Sequence, residues 1–282
     1  MVKGQRTYRA HCLILPYPIQ GHINPVLQFA KLLDHGVEVT LVTTRYIYTT
    51  ISDGFNEGGM REARTVDAYV ESFWIVGSRT FGELLEKLLS SASPADCVIY
   101  VSFIPWSFDV AKKFGIAGAV FFTQYCAVGS IYYHVHEGLL KLPLADDQSQ
   151  ISLPGLPPLD PLDFPSFVYD LGSYPAFYEL VVGQLCNVDK ADWVVDWMAK
   201  LWRLRTIVDV WKIGVTAPTE EKGVVRQEVI EHCINEVMEG KRGEEIQKSA
   251  AKWRELARKA VAEGGSSNKN IDEFIAKLEV QS

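Results

Sequence analysis

The chain has 282 residues, enough for one large or two ordinary domains with a buried core. Its 48% hydrophobic and 22% charged residues are typical of a soluble globular protein. The net charge of -7 argues against nucleic acid or an anionic membrane as partner, because both select clustered lysine and arginine. Five dispersed cysteines, most of them in apolar runs, indicate reduced core residues of a cytoplasmic protein. No apolar segment is long enough to span a membrane, and residues 1–10 carry no secretory signal.

The first strand–loop–helix unit covers residues 11–33 and is followed directly by an apolar strand at 37–44. Two prolines end the first strand. Asn24 is then placed to cap the helix, with Pro25 at the first helical position, where a missing N–H costs nothing. Ligands of open α/β sheets bind outside the carboxyl ends of the strands. His22, which follows the first strand, is therefore the first candidate for chemistry.

Strands and helices alternate along the rest of the first two thirds. A polar, glycine-rich loop at 45–68 and a proline-rich connector at 143–175 interrupt them. The further predicted strands are 96–103, 117–123 and the strand start 191–194, and the further predicted helices are 65–89, 106–114, about 126–140 and 178–188. This order predicts an α/β fold with a Rossmann-like, doubly wound parallel sheet.

The pattern breaks between residues 195 and 211, where a strand start runs into unrelated apolar sequence without a loop. Residues 220–282 are rich in Glu, Lys and Arg and predict three amphipathic helices, each of which needs a partner surface.

His134 and His136 lie on different faces of a predicted helix, which favours two structural residues over a metal site. No nucleophile-elbow, P-loop or zinc spacing is present.

Several blocks of the chain resemble plant family 1 UDP-glycosyltransferases, in colinear order and over nearly its whole length. They include PYPIQGHINPVLQFAK, ISDGFNEGG, CVIYVSFIPWSFDVAKKFG, GAVFFTQYCAV, ISLPGLPPL, NVDKADWV and EGGSSNKNIDEFIAKL. The resemblance implies the GT-B architecture, in which the N-terminal Rossmann-like domain binds the acceptor and the C-terminal domain binds the UDP-sugar. It implies transfer of glucose from UDP-glucose, usually with inversion, to a hydroxyl, carboxyl or thiol of a small lipophilic metabolite. The UDP-sugar is a co-substrate, and no cofactor and no metal are implied.

The chain departs from this family in its last third. The family's donor-binding signature, with a Trp-Cys-Pro-Gln start, a His-Cys-Gly-Trp-Asn-Ser centre and an Asp-Gln end, does not occur. A join near Val208-Asp209 stands where that domain is expected. We therefore predict an acceptor-binding Rossmann-like domain at 1–208 and a helical remnant of the C-terminal domain at 209–282. An exposed cleft face and self-association are expected from the loss.

The resemblance also assigns roles to individual residues. His22 matches the general base, and Val101 occupies the position of the Asp that orients this base. Ser102, next in the strand, is expected to face the opposite side of the sheet. The remaining matches are Gln20, Gly21 and Thr123 near the donor sugar, and Phe103 and Trp106 in the acceptor pocket or, equally, in the core.

Three functional hypotheses follow from these residues. The first is a UDP-glycosyltransferase by descent, whose transfer is lost or strongly impaired because the donor signature and the orienting Asp are missing. The second is a non-catalytic module that binds a small lipophilic molecule or a full-length homologue. The third is a non-functional product made unstable by the exposed cleft face.

Overall fold

The structure is a computed structural model that describes residues 8, 10–33, 36–44, 49–55, 58–144, 150–172, 175–198, 212, 215, 218 and 225–281. The chain divides into two compact units. The first is Met1–Ala199 together with Phe274–Ser282, and the second is Lys200–Glu273. The predicted domain boundary at 208/209 and the join beside it lie outside the described residues.

The first unit is built on a six-stranded parallel sheet. Its strands are β1 (Ala10–Leu15), β2 (Val37–Thr44), β3 (Thr49–Ile51), β4 (Cys97–Val101), β5 (Ala117–Tyr125) and β6 (Trp193–Met198). They lie in the order β3-β2-β1-β4-β5-β6, so the direction of winding reverses between β1 and β4. Every residue of β1 and β4 is buried, as expected for parallel strands covered on both faces. The predicted doubly wound α/β fold is confirmed.

Helices and short turns connect the strands. The helices of this unit are α1 (Gln20–Leu32), α2 (Val66–Ser72), α3 (Ser78–Leu89), α4 (Trp106–Lys113), α5 (Cys126–His136), α6 (Ser166–Tyr169) and α7 (Pro175–Gly183). A π-helical segment, Phe73–Gly77, joins α2 to α3, so the predicted helix at 65–89 is continuous. The buried side of α2 and of this segment places Tyr69 and Phe73 in the core.

Two local predictions are corrected. Helix α1 begins at Gln20, not after Asn24, and the backbone N–H groups of His22 and Ile23 already donate to the carbonyl of Ile19. Pro25 therefore lies in the second turn, where it removes only the hydrogen bond that would reach Gly21. The polar loop predicted from residue 45 contains the three-residue strand β3, which pairs with β2.

The two faces of the sheet are covered by different helices. Phe29 of α1 packs on Phe121 of β5, with ring centroids 5.2 Å apart. On the other face a Cβ added to Gly118 would clash with the Phe108 ring of α4, so the glycine permits close packing there. Successive residues of a strand alternate between faces. Odd-numbered residues of β5 therefore face α1, and even-numbered residues face α4.

Three amphipathic helices follow, as predicted: α8 (Gln227–Met238), α9 (Gly240–Val261) and α10 (Ser266–Gln281). Helix α8 exposes Ile230, Ile234 and Met238 at successive four-residue intervals. The last part of α10 belongs to the first unit, where Phe274 packs on Phe29 and Trp193 with ring centroids 6.3 and 5.3 Å away.

None of the five cysteines, all of which the structure describes, forms a disulfide, and they are not all core residues. Cys12 and Cys97 are buried on adjacent strands, whereas Cys126 and Cys186 are exposed, which corrects the expectation from their apolar surroundings. In the part of the chain that the structure describes, no helix has the length and apolar character needed to cross a lipid bilayer.

Candidate active site

The candidate site lies at the carboxyl ends of β1, β4 and β5, beside the point where the winding of the sheet reverses. Gln20, Gly21 and His22 form the first turn of α1, directly after the loop that leaves β1. Phe103 follows β4, and Thr123 lies near the end of β5. This is the edge at which open α/β sheets bind ligands.

His22 is held by one hydrogen bond and two aromatic rings. Its Nδ1 lies 2.6 Å from the Oγ1 of Thr123, 101 residues away in the chain. The ring of Phe103 lies tilted against the imidazole with centroids 4.6 Å apart, and the ring of Tyr17 meets it edge-on at 5.6 Å. Within the described residues, Nε2 makes no hydrogen bond. The ring plane is therefore fixed while one nitrogen stays available.

The surroundings of His22 are apolar. Burial lowers the pKa of the half-buried imidazole from 6.5 to about 4, because the charged ring would lose its hydration. The neighbouring Tyr17 is 2% exposed, and burial raises its phenol pKa to about 12. Among the described residues, the Tyr17 hydroxyl has no hydrogen-bond partner. Both groups are therefore neutral at pH 7.

Val101 is fully buried at the end of β4. It pairs with Phe121 of β5, and residues paired in a parallel sheet share a face, so Val101 lies on the face that α1 covers. Val101 cannot accept a hydrogen bond from His22, as predicted for a residue without a polar side chain. Thr123, two residues beyond Phe121, lies on the same face.

Ser102 belongs to the opposite face, as expected. Its hydroxyl donates to Gln184 Oε1 at 2.7 Å, and Gln184 Nε2 donates to Val181 O at 2.6 Å and to Gln124 Oε1 at 3.1 Å. Ser102 and Gln184 are both buried. Their hydrogen bonds join β4 and β5 to the segment that follows α7, so Ser102 does not replace the missing carboxylate.

The two predicted acceptor-pocket residues have different surroundings. Phe103 is half-buried and touches both His22 and Tyr17. Trp106 is 4% exposed at the start of α4 and packs against Phe73 and Phe81, with ring centroids 5.5 and 6.3 Å away. These contacts make Trp106 a core side chain that supports the cluster through Phe73, which itself contacts Tyr17.

The predicted donor-side residues on α1 face outward. Gln20 and Gly21 are exposed, and a Cβ added to Gly21 would meet no atom within 4 Å. Thr123 is half-buried and bonded to His22. The pairing of Thr123 with His22 could not be found from sequence spacing, and Tyr17 was missed because its role depends on packing. The only sequence signal for Tyr17 was its place in the block that contains His22.

A separate cavity of about 580 Å³ lies between α1 and β2. It is lined by residues such as Leu27, Lys31, Glu38 and Leu41, and none of its lining residues comes from β4 or β5. It is therefore distinct from the strand ends that carry His22.

His134 is buried and its Nδ1 lies 2.7 Å from Ser130 O, whereas His136 is exposed. Across the described ranges, no group of three His, Cys, Asp or Glu side chains is arranged to hold a metal ion.

Comparison with known proteins places this geometry in a family, although no protein-family model matches the chain. The chain is 38% identical over 209 residues to the indole-3-acetate beta-glucosyltransferase of Zea mays, covering 66% of this chain and 44% of that protein. It is 27% identical over 454 aligned positions to the flavonol 7-O-beta-glucosyltransferase UGT74F1 of Arabidopsis thaliana, with 97% and 99% covered. The chain belongs to the plant UDP-glycosyltransferases.

The solved structures of plant UDP-glycosyltransferases agree with the fold. Os79 from O. sativa, in complex with U2F and trichothecene, matches with a TM-score of 0.84 at 24% identity, covering 95% of this chain and 100% of that chain. The fold is thus that of the GT-B UDP-glycosyltransferases, and the chain is an enzyme by family. Because it has 282 residues, at least 172 of the 454 positions aligned with the flavonol enzyme face no residue of this chain.

Proposed function

We propose that this chain is the acceptor-binding half of a plant UDP-glycosyltransferase, that His22 is its general base, and that sugar transfer is lost or strongly impaired. The observation that carries the proposal is the position of His22 at the carboxyl edge of the sheet, fixed by Thr123, Phe103 and Tyr17 with Nε2 left available. A neutral imidazole is the form that accepts a proton.

In the proposed reaction, Nε2 of His22 takes the proton of the acceptor hydroxyl. The acceptor oxygen forms a bond to the anomeric carbon of the sugar while the bond from that carbon to the UDP oxygen breaks, with inversion. UDP leaves with the electron pair of the broken bond. Gln20, Gly21 and Thr123 are proposed to contact the donor sugar.

The acceptor is proposed to be a small lipophilic plant metabolite that carries a hydroxyl or carboxyl. The half-buried ring of Phe103 offers an apolar wall next to the base. The names of the two relatives, an indole-3-acetate and a flavonol glucosyltransferase, support an aromatic acceptor. We place the chain in the cytoplasm and expect its function to need neither metal nor another cofactor.

Two features support the loss of transfer. The donor-binding signature is missing from the sequence, and at least 172 positions of the aligned relative have no counterpart. Val101 leaves the base without a carboxylate that would stabilise the imidazolium as it forms. The second candidate function, a binding module without catalysis, is favoured by the same two features because they spare the acceptor side.

The test combines a product assay with a binding assay on the purified chain. UDP-glucose is incubated with flavonoids, benzoates and terpenoids, and glucosides are sought by mass spectrometry, with His22→Ala as control. We expect no glucoside, and we expect at least one compound to raise the melting temperature, as a ligand of the folded state must. A glucoside that disappears in His22→Ala would contradict the loss of transfer. No glucoside and no change in melting temperature would favour a non-functional product.

A further inference from the structure

The strand ends on the α1 face carry two residues that can be compared directly. Val101 ends β4 and pairs with Phe121 of β5, and Thr123 lies two residues further along β5 on the same face. The packing of Phe29 on Phe121 shows that α1 covers this face. A hydroxyl thus stands one strand away from the position at which the family's carboxylate is expected.

We propose that Thr123 is a positioning residue that replaces this carboxylate: its Oγ1 accepts the Nδ1–H of His22 and holds the neutral ring in the tautomer whose Nε2 lone pair faces the acceptor. The proposal rests on the proposed role of His22 as base. It is carried by the 2.6 Å contact and by the two rings that fix the imidazole plane. A neutral imidazole has one donor and one acceptor nitrogen, and the hydrogen bond selects which is which.

A hydroxyl and a carboxylate do different work at this position. Both orient the imidazole, but only the carboxylate offsets the positive charge that forms when Nε2 takes a proton. Burial alone accounts for the lowered pKa of His22. Among the described residues, the titratable side chain in contact with the imidazole is Tyr17, from the loop after β1, and it is neutral. Thr123 therefore orients the imidazole but does not stabilise its charged form.

The tautomer can be measured without any enzymatic activity. Long-range ¹H–¹⁵N correlation spectra of histidine-labelled protein show which nitrogen carries the proton, and His22→Gln assigns the signals. We expect a single Nδ1–H tautomer in the wild-type chain, a mixture with Nε2–H in Thr123→Val, and recovery of the single tautomer in Thr123→Ser. A merely structural role for Thr123 would leave the tautomer unchanged in all three proteins.

Two results would overturn the proposal. One is a wild-type imidazole protonated at Nε2, because Thr123 would then donate to Nδ1. The other is an unchanged Nδ1–H tautomer in Thr123→Val. As a second readout, Val101→Asp should raise the pKa of His22, which means that the imidazole binds a proton more than tenfold more tightly. Val101→Asn should leave this pKa unchanged. The tautomer stays measurable if no acceptor binds, so failure of the proposed function would be recognised separately.

Discussion

The two faces of the sheet at the ends of β4 and β5 differ in how their polar groups are used. On the face of α4 and α7, Ser102 and Gln184 are buried and bonded to each other and to further acceptors. On the face of α1, His22 uses one nitrogen, and the nearby Tyr17 hydroxyl has no hydrogen-bond partner among the described residues. A satisfied network holds a fold together, whereas unused polar groups in an apolar setting are available to a ligand.

The largest expected effect comes from restoring two missing features, the donor segment and the carboxylate at position 101 on the α1 face. A chimera that carries the donor segment of the maize relative at the 208/209 join should transfer glucose to a phenol slowly. Adding Val101→Asp should raise its kcat by roughly 10²–10⁴-fold, the range of general-base and orienting-carboxylate effects. Val101→Asn is the matched control and should give no increase. Equal rates for the chimera with and without Val101→Asp would show that the carboxylate position is not limiting.

Substitutions on the opposite face should change only the free energy of unfolding. Gln184→Leu leaves the buried hydroxyl of Ser102 without its acceptor, and we expect it to lower the free energy of unfolding by about 1–3 kcal/mol. Adding Ser102→Ala removes the unpaired hydroxyl and should recover part of this loss. Denaturant unfolding measures both. A change in the His22 tautomer in either variant would break the distinction between the faces.

The pH dependence of the free energy of unfolding should reveal the lowered pKa of His22. The unfolded chain binds a proton at this residue near pH 6.5, whereas burial lowers the pKa in the folded protein to about 4. Protonation therefore favours unfolding. The part of the free energy of unfolding that depends on the neutral imidazole is fully present above pH 6.5 and is lost as the pH drops toward 4. By pH 5 the loss amounts to about 2 kcal/mol relative to His22→Gln. Parallel pH curves for the two proteins would contradict the burial of the imidazole.

The smallest effect is expected at Tyr17. Tyr17→Phe removes a buried hydroxyl that has no partner in the described part of the chain, so the free energy of unfolding should stay constant or rise by up to about 1 kcal/mol. Thermal unfolding without ligand measures it. A loss of more than about 1 kcal/mol would show that the hydroxyl has a partner in the folded protein.

Much of the fold was predictable because its strands are continuous apolar runs between proline and glycine. The strand β3 was missed because it has three residues in a polar stretch. The start of α1 was misplaced because Asn24 and Pro25 form a sequence that also begins helices, whereas the structure shows the backbone N–H groups of His22 and Ile23 already donating to the carbonyl of Ile19. The misplaced helix start put His22 in a loop, whereas it lies in the first turn of α1, but its position at the strand ends was predicted correctly.

The site was predictable only in part. His22, Phe103 and Thr123 each follow or end a predicted strand, and the lack of a carboxylate at Val101 is visible in the sequence. That these strands are neighbours comes from the sheet order of the structure. The bond between His22 and Thr123 was not predictable, because the resemblance had assigned Thr123 to the donor sugar. The Tyr17 hydroxyl, which has no hydrogen-bond partner among the described residues, is buried by the packing of Phe73 and Phe103, which no local pattern encodes.

The central claim is that an acceptor binds beside His22, and its imidazole signals test this most directly. The compound that raises the melting temperature most is titrated into histidine-labelled protein, with Phe103→Ala as a variant of the apolar wall. We predict a saturable shift of the His22 signals in the wild-type chain and a weaker affinity in Phe103→Ala. A compound that raises the melting temperature but leaves the His22 signals unchanged would bind elsewhere, for instance in the cavity between α1 and β2, and would contradict the account.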